Sequence, residues 1–536
     1  MNKNLVPIVL YLILFAYFYS FSEYGFNIWD EGGFAYGTLR TYNGQIPMRD
    51  FNPIGYLPGR YFYGALFFKL FGVNLQSLRL GVVLFTPAMI LMVYAAARKT
   101  MPQGFAFLAA LGVLSAPSMY YNRFYMFFCV LIMYCLIGLI ERKTASRYFL
   151  LFGAIVLCSF FKPEVALFGF AISAALVAVM FFQDELAPPK KSGLRSVKGG
   201  RSFWVPALAS AGILGALTVY AVQQGVAEKL FNIVLETRRV WGNPFPAIFP
   251  FFKLLRGLGP HEMFQRVLFY LPILVYFAVT AILIVRLVRA RFRVSAENQR
   301  LLVIVSFGVC AFGLVIWRAG FDNLLRTLAP FYILFCYLLF LIWGKLRDSR
   351  FFKTAGESAS VSWIKQTGLN VFIVALPFLF YYEMNARHGF YAGSVGAVAQ
   401  EKFFLRLNRM EVYTHPVEAK WLKEIVSWIQ NHSRKGDPIL ALPLNPIFYY
   451  LTDRVNPTPH DWILPGMLNK TEQEKVVAQL EANRPKVIVY ADIAIDGREE
   501  RRFSNYAPVI FSFIAANYRL RERIGFFQIL LPKETE

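Results

Sequence analysis

Hydrophobic residues fall in runs of roughly 17 to 25, long enough as helices to cross a bilayer core, with short polar stretches between them. The pattern predicts eleven membrane spans, near 5–21, 75–97, 104–118, 124–140, 148–161, 164–182, 203–223, 266–285, 301–317, 328–344 and 364–382. With the N-terminus in the cytoplasm, the segments Arg98-Lys99, Arg142-Lys143 with Arg147, Lys190 to Arg201, Arg286 to Arg300 and Lys345 to Lys353 lie inside. Each is rich in Lys or Arg, as cytoplasmic loops are. An odd number of spans then puts the region from about 383 onward outside.

That region has a different rhythm. Short β-rich pieces (Pro438 to Leu442, Lys486 to Tyr490, Phe526 to Leu531) alternate with amphipathic helical stretches (Val417 to Gln430, Thr471 to Ala482, Tyr506 to Ala516). The fold class read from the chain is therefore an α-helical polytopic membrane protein with a C-terminal extracytoplasmic α/β domain. Its domains are expected at 1–382, with a first outer loop at 22–60, and 383–536.

Composition narrows the reading. The chain has 536 residues, 57% of them hydrophobic and 17% aromatic, with a net charge of +23. Such a sequence is too apolar for an ordinary soluble domain, and its basic residues sit between spans, so they set orientation and do not form a nucleic-acid surface. All five cysteines lie in apolar runs without metal-ligand or redox spacing, which marks them as packing residues. The first apolar run lacks a small-residue cleavage site and is expected to remain as a helix. No glycine-rich nucleotide loop opens a helix of the tail, and no inverted repeat of the transporter kind is visible.

The first outer loop concentrates the candidate chemistry. It reads Asn27-Ile28-Trp29-Asp30-Glu31-Gly32-Gly33-Phe34-Ala35-Tyr36, then Arg40, Gly44 to Phe51 with Asp50, and Pro58-Gly59-Arg60-Tyr61. Carboxylates among aromatics at a membrane boundary are partly desolvated, which raises their pKa and suits a general base working near neutral pH. These motifs resemble the first outer loop of GT-C integral membrane glycosyltransferases, nearest the aminoarabinose transferase and protein O-mannosyltransferase group. The resemblance is strongest over residues 25 to 98 and weak in the tail.

The resemblance implies inverting transfer of a sugar from a polyprenyl-phosphate donor to a hydroxyl acceptor at the outer face of a cell inner membrane. Asp30 is then the candidate base, with Glu31 beside it and Asp50 a second acidic group facing the same cavity. A divalent ion held by Glu31 or Asp50 is left open, and no other cofactor is implied. Basic residues outside the membrane are expected to hold the lipid phosphate: Arg40, Arg60, Lys162, Arg238, Arg318 and Arg326. Trp29, Tyr36, Tyr61, Glu164 and Asp322 are expected to line the acceptor side of the cavity. The loop Gln224 to Gln265, which carries Arg238, reads either as a lid or as an interfacial amphipathic segment. Three rivals stand beside this enzyme: an oligosaccharide ligase or polymerase using a lipid-pyrophosphate donor, a lipid or anion transporter, and a non-catalytic assembly factor.

Overall fold

The computed structural model describes residues 5–53, 56–115, 123–186, 197–229, 259–291, 293–317, 321–349, 359–386 and 395–533. Among them, helices fall in each of the eleven predicted stretches: Leu5–Ser20 (α1), Leu75–Val83 followed by Phe85–Ala97, Gln103–Ser115, Arg123–Glu141, Ala145–Ser159, Pro163–Leu186, Val197–Gln223, Pro260–Arg289, Ala296–Trp317, Ala329–Arg347 and Ala359–Ala386. Six contain a stretch long and apolar enough by itself to cross a membrane, namely Leu75–Ala97, Arg123–Glu141, Pro163–Met180, Phe203–Gln223, Phe269–Arg289 and Ala329–Arg347. The protein is a polytopic membrane protein.

Two compact units interleave along the chain. One holds Met1–Phe18, Leu84–Ala216 and Pro244–Gly396; the other holds Tyr19–Val83, Leu217–Asn243 and Ala397–Glu536. The first outer loop and the tail, distant in sequence, thus belong to one compact unit.

The first unit is a helical bundle. Close approach is bought by glycine: a Cβ on Gly112 would lie 2.4 Å from the Tyr332 ring, and one on Gly308 2.5 Å from Tyr276. Arg123–Glu141 is largely enclosed, whereas Leu167, Phe277 and Phe372 turn outward, as lipid-facing residues do. Three segments assigned to the same side of the membrane meet at one carboxylate. Glu141 lies 2.8 Å from Lys99, 3.9 Å from Arg147 and 4.0 Å from Arg300.

In the second unit, helices Asp30–Tyr42 (α2), Gly59–Phe71 (α3) and Leu75–Val83 (α4) come from the N-terminal part. The tail adds an antiparallel hairpin of β1 (Phe403–Leu407) and β2 (Met410–Thr414). It also adds a four-stranded sheet ordered β3 (Leu440–Leu442), β4 (Ile488–Ala491), β6 (Phe527–Pro532), β5 (Tyr518–Ile524). β3 and β4 are parallel, so a crossover must join them, and the helix Lys470–Ala482 lies in that connection. A capping box between Asn469 and Glu472 starts this helix. Its Val476 and Leu480, with Ile510 and Ile514 of Pro508–Asn517, bury the sheet face formed by Leu440, Leu442, Ile488 and Leu530.

Backbone hydrogen bonds sew loop to tail. Gly25 N–H donates to the Tyr413 carbonyl at 2.9 Å, Tyr413 N–H to Glu23 at 2.7 Å, Asn52 N–H to Pro459 at 2.7 Å and Leu75 N–H to Arg409 at 2.8 Å.

Candidate active site on the first outer loop

Asp30 opens α2. The Asn27 side-chain oxygen accepts from the N–H groups of Trp29 at 3.1 Å and Asp30 at 2.8 Å, satisfying donors that a helix start leaves exposed. The Gly32-Gly33 pair lets this turn lie against the tail. A Cβ on Gly32 would stand 2.7 Å from Ile447, and one on Gly33 2.6 Å from the Trp462 ring. No other residue leaves room for that docking. Gly37 does the same for α3, where Tyr61 lies 2.4 Å from the Cβ position.

The two adjacent carboxylates have different surroundings. Glu31 is 3% exposed and receives a two-pronged pair from Arg79, Nε to Oε1 at 2.7 Å and Nη2 to Oε2 at 2.8 Å. The same guanidinium donates to the Ser22 and Gly25 carbonyls, each at 2.6 Å. Asp30 is half-buried and borders a cleft with Gly33, Phe34, Asn52, Tyr56, Tyr61, Asp461 and Trp462. The Tyr56 hydroxyl donates toward Asp30 Oδ1 at 3.5 Å. The cleft is narrow, with about 10 Å³ of free space, which is the room of one water.

Arg60, at the start of α3, is 2% exposed, and none of its guanidinium nitrogens has a hydrogen-bond partner among the described residues. Aromatic rings surround it: its carbon lies 3.9 Å from the Tyr56 centroid, 4.3 Å from Phe34 and 5.3 Å from Tyr61. Those three rings also line the Asp30 cleft. The buried indole N–H of Trp462 likewise has no acceptor among the described residues, as does that of Trp29.

Arg40 is spent differently. It donates to Asp461 at 2.6 Å, to the Gln45 side chain at 2.6 Å and to the Asp50 carbonyl at 3.0 Å. Burial pushes the Asp461 carboxyl above the usual carboxylate range, against the pull of Arg40. The Asp50 carboxylate does not border the Asp30 cleft. It accepts from Arg49 at 2.9 Å and from Ile46 N–H at 2.7 Å, and the Arg49 bond holds its pKa low. Tyr36 and Tyr61 are both buried, and burial raises the pKa of each phenol. Tyr36 accepts from Asn456 N–H at 3.1 Å.

Other expected residues lie in the first unit. Lys162 and Glu164 face each other at 3.9 Å, Arg326 is half-buried after the short helix Phe321–Leu325, and Asp322 is on that helix, its side chain outside what is described. Arg238 and Arg318 lie outside the described residues. Among the described residues, no three His, Cys, Asp or Glu side chains converge as a metal site would require.

The chain carries a fold of the GT-C type. Residues 57–191 match the family model for dolichyl-phosphate-mannose-protein mannosyltransferase. Among solved structures, ArnT from Cupriavidus metallidurans bound to undecaprenyl phosphate superposes with a TM-score of 0.54 at 13% identity, covering 99% of this chain and 98% of that one. Its apo form gives 0.51 at 14% identity, over 98% and 97%. The archaeal oligosaccharyltransferase AglB from Archaeoglobus fulgidus gives 0.48 at 13% identity, over 99% of this chain and 75% of that one. No curated protein matches the chain significantly in sequence.

Sequence reasoning missed Tyr56, Arg79, Asp461 and Trp462. Arg79 had a signal, being a lone charge inside the apolar run 75–97. Asp461-Trp462 had none beyond a Pro-rich polar stretch.

Proposed function

We propose that the protein is an inverting glycosyltransferase that moves a sugar from a polyprenyl-phosphate donor to a hydroxyl acceptor, with Asp30 as general base. The observation that carries the reading is Arg60, a buried guanidinium without a hydrogen-bonding partner among the described residues, held by three rings that also wall the Asp30 cleft. A buried charge in that state is costly and favours an anion that can satisfy it. A lipid phosphate is such an anion, and undecaprenyl phosphate is what the ArnT structure of like fold holds.

In the proposed step the acceptor oxygen attacks the anomeric carbon while the carbon–oxygen bond to phosphate breaks. Asp30 takes the hydroxyl proton, and the lipid phosphate leaves with the bonding electron pair. Arg60 stabilises the charge growing on that phosphate, which needs no strong acid to depart. The Trp462 indole N–H is a further donor beside the cleft. Glu31, bound by Arg79, positions the start of α2; this reading requires no metal at Glu31 or Asp50, since arginines engage both carboxylates. The setting is the bacterial inner membrane, with the N-terminus in the cytoplasm and the tail outside.

The test uses the full chain in nanodiscs with a panel of polyprenyl-phosphate sugars, reading released lipid phosphate by mass spectrometry. Asp30→Asn should lower transfer about 10²–10⁴-fold, the usual contribution of a general base, at unchanged thermal midpoint. Undiminished transfer by this variant would sink the proposal.

A further inference from the structure

We infer that the β1–β2 hairpin of the tail is a membrane-surface anchor, with Phe403 and Phe404 seated in the phospholipid headgroup layer. Covalent continuity places it there. Helix α1 turns Leu5, Ile8, Leu12 and Ile13 outward, as a lipid-facing helix does, and its apolar run ends at Phe21. The Phe21 carbonyl accepts from Tyr24 N–H at 3.0 Å, a tight turn that keeps Tyr24 within about 7 Å of Phe21. The headgroup layer is about 5–8 Å deep on each side of the hydrocarbon core.

Tyr24 is where the hairpin attaches. Tyr413 of β2 donates its N–H to the Glu23 carbonyl at 2.7 Å and accepts from Gly25 N–H at 2.9 Å, and its ring stacks on Tyr24 with centroids 4.7 Å apart. Phe404, its partner on β1, lies 5.1 Å from the Tyr413 ring, so three rings run in a row from the exit of α1 across the hairpin. The turn of the hairpin, at Arg409, accepts from Leu75 N–H at 2.8 Å, and Leu75 opens the stretch Leu75–Ala97 that is long and apolar enough to cross a membrane. Tyrosines suit such a boundary, because the ring is apolar and the hydroxyl polar.

The surface that the hairpin exposes matches that layer. Phe403 is 41% exposed and Phe404 43%; successive strand positions point to opposite faces, so each face of β1 presents a ring. Among the described residues β2 is the only strand paired with β1, which leaves the other edge of β1 open. An open edge with two exposed phenylalanines invites a second strand unless something covers it. Basic groups stand beside the rings: Lys402 is exposed, and Lys423 of the helix Pro416–His432 holds its ammonium 5.3 Å from the Phe403 centroid. A lysine in this position lays its stem on apolar surface and extends its head to lipid phosphate. Nearby carboxylates are paired or buried. Glu411 meets Arg406 at 2.8 Å, Glu418 accepts from Thr414 at 2.6 Å, and burial raises the pKa of Glu418 and Glu401 above the usual carboxylate range.

The inference does not depend on the reading of Asp30. Its test is photocrosslinking of the full chain in proteoliposomes of phosphatidylethanolamine and phosphatidylglycerol, with lipid adducts read by mass spectrometry. Phe404→p-benzoylphenylalanine should give at least tenfold more lipid adduct than Leu520→p-benzoylphenylalanine, an equally exposed position on β5 of the other sheet. Phe403→p-benzoylphenylalanine repeats the measurement on the opposite face of the strand and keeps the test decisive should the first variant fail to insert. Equal adduct yields at the hairpin and at Leu520 would overturn the inference. So would a product joining two chains in place of a lipid adduct, since a second copy would then cover the edge.

Discussion

Two arginines in the first outer region are equally hidden, Arg79 at 1% and Arg60 at 2% exposure, yet their surroundings are opposites. Arg79 meets two carboxylate oxygens and two carbonyls within 2.8 Å, whereas Arg60, among the described residues, meets ring faces and no hydrogen-bond acceptor. A saturated buried charge belongs to architecture, because every donor already has its acceptor. A buried charge with open donors is the one to which the proposed function gives a ligand. Adjacent Asp30 and Glu31 divide along the same line, one turned to a cleft and the other locked to Arg79.

The largest test of this contrast is Arg79→Met. It leaves Glu31 buried without its partner and should cost about 3–5 kcal/mol, read as a steep fall in thermal midpoint; adding Glu31→Met should restore most of it. If the single variant were as stable as the wild type, the clamp would not be structural. Arg60→Met should behave the other way. Its midpoint should hold or rise, while KM for the lipid-phosphate donor climbs about 10–100-fold, roughly 1.4–2.8 kcal/mol of lost charge-assisted bonding. A drop in stability with unchanged KM would place Arg60 beside Arg79 as a packing residue.

The smallest test concerns His460, a half-buried basic group whose buried Nδ1 has no partner among the described residues. A guanidinium has no accessible neutral form, but an imidazole does, and burial lowers the His460 pKa from 6.5 to about 4. Between those values the unfolded chain binds the proton more readily, so this residue's contribution to stability is present above pH 6.5 and lost as pH falls toward 4. Glu401 slopes oppositely across part of the same range, since burial and Glu418 push its carboxyl up to about 7. The useful measurement is therefore the difference in midpoint between wild type and His460→Gln across pH 4–7, which should grow on acidification in favour of the variant. A flat difference would mean that His460 is charged in the fold.

Much of this was legible in the chain. Bilayer-length apolar runs place the helices because lipid leaves little other choice, and Glu141 gathers basic residues from three segments read as lying on one side. Three of the tail's strands and its three main helices stand where hydrophobic periodicity put them. β5 escaped because Arg519, Arg521, Glu522 and Arg523 mask its alternation; the β1–β2 hairpin escaped because it turns through Asn408-Arg409, with Arg409 at φ 66°, and not through an Asn-Gly pair. Asp30 and Arg60 could be picked out by residue type and position. They could not be set apart from Glu31, Arg40 and Asp50, because that depends on which side chains pair: Arg79 with Glu31 48 residues away, Asp461 with Arg40 421 residues away, and Arg49 with its neighbour Asp50, where adjacency alone does not show that the two side chains meet.

The docking of Gly32 and Gly33 on Ile447 and Trp462 has a consequence for how the protein is made. Asp30 is synthesised within the first tenth of the chain, but the wall that completes its cleft is synthesised only in the last fifth. A chain released between residues 387 and 460 would carry every helix of the eleven predicted stretches and yet lack Asp461 and Trp462, which wall the Asp30 cleft.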